Sequence, residues 1–273
     1  MKKLIACDLD GTLLTSKKEI TEETRSKILD FIDQGNYFTI ATGRIFQATK
    51  AIYHKLGFKS YSIACNGAML VNNITDEIIY TNPLKADIAY KLIDLFTKHD
   101  IYFHYYSEDT IHANKYMNTV EAFDKMYSKF EDDMKIKIHV SDDLKEPIKN
   151  GTSAYKFGIY EDGSFDVDLI KKELSEIDGI DFYKSSEVLL DVMTKGVSKG
   201  SALIKLADIL GVDQSETFAF GDNENDLSMI VDAKHGIAMD NAIDLLKENA
   251  QFITKTNDED GIVFAMENYI SKH

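Results

Sequence analysis

The sequence predicts an α/β protein: a doubly wound parallel sheet built from both ends of the chain, with an α+β insert between them. Three observations carry this. Short unbroken apolar runs alternate with helical patterns up to residue 80 and again after residue 198, which is βαβ rhythm. Those runs lack polar alternation, as expected of parallel strands buried on both faces. Between residues 83 and 193 the rhythm changes to hairpin-like strand pairs beside helices.

The elements follow in order. Leu4 to Cys7 is an apolar strand. Thr21 to Gln34 carries Ile28, Leu29, Phe31 and Ile32 with Gly35 just after, a helix with a glycine stop. Tyr37 to Ala41 is the next strand, followed by a helix over Ile45 to Leu56, a strand at Tyr61 to Cys65 and a pair at Ala68 to Val71 and Glu77 to Tyr80. Pro83, one of only two prolines, marks a hinge into the insert. The insert reads as a helix over Asp87 to Lys98, strands at Ile101 to Tyr106 and Thr110 to Ala113, and a helix at Thr119 to Phe130. Strands at Ile136 to Val140 and Ala154 to Tyr160, a helix over Asp166 to Ile177, and strands at Asp181 to Lys184 and Val188 to Met193 complete it. The chain returns near Thr194 to Val197. Helix Lys199 to Leu210, strand Thr217 to Phe220, helix Asp226 to Val231, then Gly236 to Met239, Leu245 to Glu248, Gln251 to Thr254 and Asp260 to Ile270 resume the first pattern. The expected domains are therefore 1–82 with 194–273, and 83–193.

Composition narrows the function. The 273 residues suffice for a sizeable core. With 31 Lys and Arg against 46 Asp and Glu the formal net charge is −15, which argues against nucleic acid or an anionic membrane as partner. An acidic protein that handles phosphates needs local cations, either metal ions or well-placed lysines. The two cysteines, Cys7 and Cys65, read as buried reduced thiols. The apolar run after Lys2-Lys3 is shorter than the roughly 7 to 15 residues of a secretory segment, and no stretch approaches the roughly 20 of a membrane span. The reading is a soluble, cytoplasmic protein.

Chemistry concentrates at strand ends. Cys7-Asp8-Leu9-Asp10-Gly11-Thr12 turns an apolar strand directly into two carboxylates, a glycine and a hydroxyl. In open α/β sheets ligands bind at the carboxyl ends of strands. Asp8 there can attack phosphorus, and Asp10 can carry the proton of the leaving oxygen. The same residue pair also suits a capped turn. Thr42-Gly43-Arg44 after the second strand offers a hydroxyl and a backbone N–H for phosphate, or simply an N-cap. Lys199 opens a helix, where its charge gains nothing from the macrodipole; a bound phosphate would supply a reason, exposure to solvent another. Gly221-Asp222-Asn223-Glu224-Asn225-Asp226 is an oxygen-rich loop after an apolar strand, suited to a hard cation or to helix capping. Mg2+ takes one or two carboxylates, and Asp8 and Asp222 would suffice.

Together Asp8-Leu9-Asp10-Gly11-Thr12, Thr42-Gly43-Arg44, Lys199 and Gly221 to Asp226 resemble the four ordered motifs of the haloacid dehalogenase-like hydrolases, and more narrowly the Cof-type sugar-phosphate phosphatases. Asn66-Gly67, Gly236 to Ala242 and Glu259 to Ile262 extend the resemblance over nearly the whole chain. It implies a Rossmann-like core with an inserted cap that supplies specificity, Asp8 as nucleophile and Asp10 as general acid and base. It further implies Mg2+ on Asp8, the Asp10 carbonyl and Asp222, with Asp226 supporting metal and lysine. Thr42, Gly43, Lys199 and Asn225 would bind the phosphoryl group, and Arg44 and Asn66 would contact the substrate or the cap. The expected activity is hydrolysis of small phosphorylated metabolites. A sugar-phosphate mutase and a phosphate-responsive binding protein are the rivals. The aromatic run Tyr102 to Tyr106, His112 and Lys156 are assigned to packing or left open, with Tyr102, His104 and Tyr106 on one face of a strand.

Overall fold

The computed structural model describes residues 1–130, 134–186 and 188–273. The chain forms two compact units. Met1–Gly43, Ile52–Tyr80 and Ser198–His273 make one; Arg44–Ala51 and Thr81–Val197 make the other.

The first unit is built on an eight-stranded sheet. Its order is Phe252–Ile253, His235–Ala238, Thr217–Gly221, Leu4–Cys7, Tyr37–Ala41, Tyr61–Ala64, Met69–Asn72 and Glu77–Thr81. The first six strands run parallel, and Met69–Asn72 turns antiparallel to Tyr61–Ala64. Every residue of Leu4–Cys7 is fully buried, as the apolar run required. Helices Glu22–Asp33, Lys199–Leu210 and Gly261–Asn268 pack Ile28, Phe31, Leu203, Leu206, Ile262 and Met266 into the same core. Each such side chain contributes roughly 1.5–3 kcal/mol by leaving water. The doubly wound α/β core is thus as the sequence predicts.

Local signals set the ends of these helices. Ser198 and Ser201 form a reciprocal capping box at the start of Lys199–Leu210, and Gly211 ends it in the left-handed region. At Glu22–Asp33 the Thr21 hydroxyl accepts from the Thr24 N–H and donates to Asp260. Thr21→Ala is therefore expected to cost about 1 kcal/mol, read as a lower urea midpoint with an unchanged slope.

The second unit has a six-stranded sheet ordered Ile180–Lys184, Leu189–Thr194, Lys156–Tyr160, Phe103–Tyr106, Thr110–Ala113 and Lys137–Val140. The pairings are antiparallel except the last, which is parallel. Helices Ala86–Lys98 and Val167–Ser175 bury Ile88, Leu92, Phe96, Ile170 and Leu174 with Phe103, Tyr105 and Phe157. The strand alternates as expected: Tyr102, His104 and Tyr106 contact one another in a row, while Phe103 and Tyr105 enter that core. The structure adds a helix at Lys145–Lys149, a stretch to which the sequence pattern assigns no element; Pro147 lies in its first turn, where its missing N–H is no loss. Among the described residues no helix is long and apolar enough to cross a membrane.

Candidate active site

The central strand places the site. Leu4–Cys7 lies between Thr217–Gly221 and Tyr37–Ala41, with Cys7 opposite Phe220 and Ile40. From there the sheet is wound outward in both directions, so the gap between Leu4–Cys7 and Thr217–Gly221 is the topological switch point. Asp8 and Asp222 leave the sheet on either side of it. Gly11 has φ +88°, and a Cβ there would overlap the Asp222 carboxylate, so glycine allows both the turn and the approach. The Thr12 hydroxyl donates to Asp222 Oδ1 at 2.8 Å, and the Leu13 N–H returns to the Asp8 carbonyl at 3.1 Å.

Lys199 is fully buried, and its Nζ donates to Asp8 Oδ1 at 2.5 Å and to Asp226 Oδ1 at 2.6 Å. Solvent exposure is therefore not what places a lysine at this helix start; its partners are carboxylates. Asp226 Oδ2 accepts the backbone N–H groups of Asp222 and Asn223 at 3.0 and 3.1 Å, which fixes the loop after the strand. Oxygens of Asp8, Asp222 and Asp226 lie within 4.8 Å of one another. One ammonium faces three carboxylates.

The electrostatics follow from that imbalance. Burial, and then the charge of Asp226, hold the Asp8 carboxyl well above its ordinary value. The same two causes, in the same order, push Asp222 up to about 7. Burial works against the Lys199 ammonium, but Asp226 and Asp8 outweigh it and hold it above its usual range. A hard cation would relieve the carboxylates, and the donors are all oxygen; the set fits Mg2+ in kind.

A second group adjoins this one in the same unit. Asn225 Nδ2 donates to Asn66 Oδ1 at 3.2 Å, and the Asn66 N–H donates to the Thr42 carbonyl at 3.0 Å. Thr42 and Asn66 are both buried. The Asp10 carboxylate is partly exposed and paired at 2.9 Å with Lys18, and its charge adds to those that raise Asp222. Arg44 belongs to the second unit, where its Nη1 donates to the Tyr127 hydroxyl at 2.9 Å.

Comparison with known proteins decides the family. The sequence profile of the haloacid dehalogenase-like hydrolases matches residues 5–266. The chain belongs to that family. It is 32% identical to a 5-amino-6-(5-phospho-D-ribitylamino)uracil phosphatase of Bacillus subtilis, over 98% of both chains. It is 27% identical to a pyridoxal phosphate phosphatase of Escherichia coli, over 95% of this chain and 96% of that one. A haloacid dehalogenase-like hydrolase from Bacteroides thetaiotaomicron shares its fold at a TM-score of 0.82 and 29% identity, with 98% and 99% of the two chains covered. The protein is thus an enzyme, a phosphoric monoester hydrolase of the haloacid dehalogenase-like kind.

Within this hydrolase some contacts have no counterpart in the sequence reading. Asn241 Nδ2 donates to the Gly11 carbonyl at 2.8 Å, while the Ile243 N–H donates to the Asp222 carbonyl at 3.0 Å. Asn257 Nδ2 holds the Leu14 carbonyl at 2.8 Å, and its N–H donates to Asn241 Oδ1 at 3.0 Å. The turn after the His235–Ala238 strand therefore braces both the Asp10–Gly11 turn and the Asp222 loop. Asparagines in the turns beyond strand ends were the available signal, but the carbonyls they hold, those of Gly11 and Leu14, lie more than two hundred residues away.

Proposed function

We propose that the protein hydrolyses small phosphate monoesters of cytoplasmic metabolites through a phosphoryl group carried on Asp8. The observation that carries this reading is the buried contact of Lys199 with Asp8 and Asp226, beside Asp222 at the switch point. Asp8 would attack phosphorus, forming a carboxylate–phosphorus bond as the bond to the leaving oxygen breaks. Asp10 would give that oxygen its proton, then take one from the water that attacks the intermediate, releasing inorganic phosphate and restoring Asp8. Lys199, Thr42, the Gly43 N–H and Asn225 would hold the phosphoryl oxygens as their charge spreads. Asp8, the Asp10 carbonyl and Asp222 would hold Mg2+, with Asp226 fixing both the loop and Lys199. When bound, the ion supplies neutralising charge to the carboxylates and to the phosphoryl oxygens.

The residues 83–193 would select the leaving group, and residues 1–82 with 194–273 would do the chemistry. The relatives named for a ribitylaminouracil phosphate and for pyridoxal phosphate support a phosphorylated metabolite as substrate, with ring-bearing esters first in a trial panel. The test is phosphate release across such a panel with Mg2+. Failure on every ester, including an activated aryl phosphate, would overturn the reading.

Metal removal gives a second expectation. Mg2+ at about 100 times its dissociation constant should stabilise by roughly 2.7 kcal/mol, seen as a higher melting temperature, and exhaustive chelation should abolish turnover. In the chelated protein the sign with pH is unusual. The folded Asp222 carboxyl titrates near 7, above its ordinary 3.8, so the native state holds more protons across that window. Stability contributed by this group should fall as pH rises from about 4 to 7, and Mg2+ should flatten the slope. A melting temperature independent of both pH and Mg2+ would contradict the carboxylate cluster as a cation site.

A further inference from the structure

Cys65, Asn66 and Gly67 follow one another at φ 50°, 53° and 102°, three consecutive left-handed residues. L-residues adopt this conformation at a cost that the surroundings must offset, and such strain collects at functional sites. All three are buried. The turn they make touches three segments of the proposed phosphate site. The Asn66 N–H goes to the Thr42 carbonyl at 3.0 Å, and its Oδ1 accepts from Asn225 Nδ2 at 3.2 Å. That oxygen also lies against Gly43, where a Cβ would come within 2.8 Å of it. A Cβ on Gly67 would overlap the carbonyl of Ser198, the residue that caps the Lys199 helix. The left-handed backbone lets one residue direct its N–H to the first segment and its side-chain oxygen to the second.

The geometry points to Asn66 as a positioning residue that acts through Asn225 and Gly43, and this rests on the reading of Asn225 as a phosphate ligand. With one Nδ2–H given to Asn66, the Asn225 amide has a single orientation, and its second N–H is held for a phosphoryl oxygen. The close fit at Gly43 sets the backbone N–H of the neighbouring cradle at the same time.

Asn66→Gly isolates this role. Glycine takes φ 53° without strain and keeps the N–H to Thr42, which offsets part of the cost of the lost buried hydrogen bond to Asn225, so the variant should fold with only a modestly lower melting temperature. Its kcat/KM on an activated aryl phosphate should fall about tenfold to a hundredfold, and its Ki for inorganic phosphate should rise. Asn225→Ala should lose activity as well, and adding Asn66→Gly to it should change little more, because the two act as a unit. Parental kcat/KM in Asn66→Gly, or losses that multiply in the double variant, would overturn the positioning role while leaving the phosphate site intact. Parental activity in Asn225→Ala would overturn the phosphate-site reading, and this inference with it.

Discussion

Asp8→Asn is expected to lower turnover by more than about 10⁴-fold, the scale on which enzymes lose rate when their nucleophile is removed. The amide is neither a nucleophile toward phosphorus nor an anion for Lys199 to hold. Folding should survive, because the substitution takes one carboxylate from a buried cluster in which burial and Asp226 already disfavour the charge of Asp8. The chelated variant should therefore melt no lower than the parent, which separates lost chemistry from lost structure. Asp10→Asn should fail at a different step. An aryl phosphate whose leaving group needs little protonation should still phosphorylate Asp8, but water attack should slow by about 10²–10⁴-fold without its base. Rapid quenching and mass measurement should then show a phosphorylated Asp10→Asn protein with the added mass on Asp8. A label on another residue, or phosphorylation of Asp8→Asn at the parental rate, would refute the assignment.

Lys199→Met should damage both stability and rate. Its ammonium is the partner of Asp8 and Asp226 at 2.5 and 2.6 Å, and all three side chains are buried. Removing one member of such a network leaves charge without compensation, at a cost of about 3–5 kcal/mol. Rate should drop a further 10²–10³-fold or so for want of a preorganised cation at the phosphoryl group. Urea unfolding of the chelated protein at neutral pH reads the first effect. The deficit should shrink as pH falls, since a cluster without its lysine relieves itself by taking up protons, and Mg2+ should recover part of it. Parental stability at neutral pH without metal would show that the buried pair is not what holds the carboxylates together.

Much of this was legible in the sequence because strand ends are marked by composition. The apolar runs before Asp8, Thr42 and Asp222 put those residues at the carboxyl ends of parallel strands, and Lys199 stands out as a lysine at a helix start, where the macrodipole disfavours it. Lys145–Lys149 was not legible, since a proline in the first turn of a five-residue helix looks the same as a break. Nor was the parallel pairing of Thr110–Ala113 with Lys137–Val140, which departs from the hairpin pattern of the rest of the insert. The bracing contacts of Thr12, Asn241 and Asn257 were hidden for a different reason. Their residue types are ordinary in turns, and only the meeting of distant segments gives them partners.

The position of Leu4–Cys7 in the middle of the sheet has a consequence for how the chain is born. Its pairing with Tyr37–Ala41 becomes available early in synthesis, but its other edge must wait for Thr217–Gly221. Thr12 and Asp222 are separated by 210 residues, which at about 5–20 residues per second is a delay on the order of ten to forty seconds. Throughout it an apolar strand presents an open edge, a template for pairing with other chains. Residues 81–197 emerge during that interval and carry a hydrophobic core of their own, so this unit can fold first and shorten the effective loop between the two halves. Ribosome-bound chains that end before residue 217 should therefore be the aggregation-prone species, and a destabilised insert should lower the yield of active protein even where the finished enzyme tolerates the change.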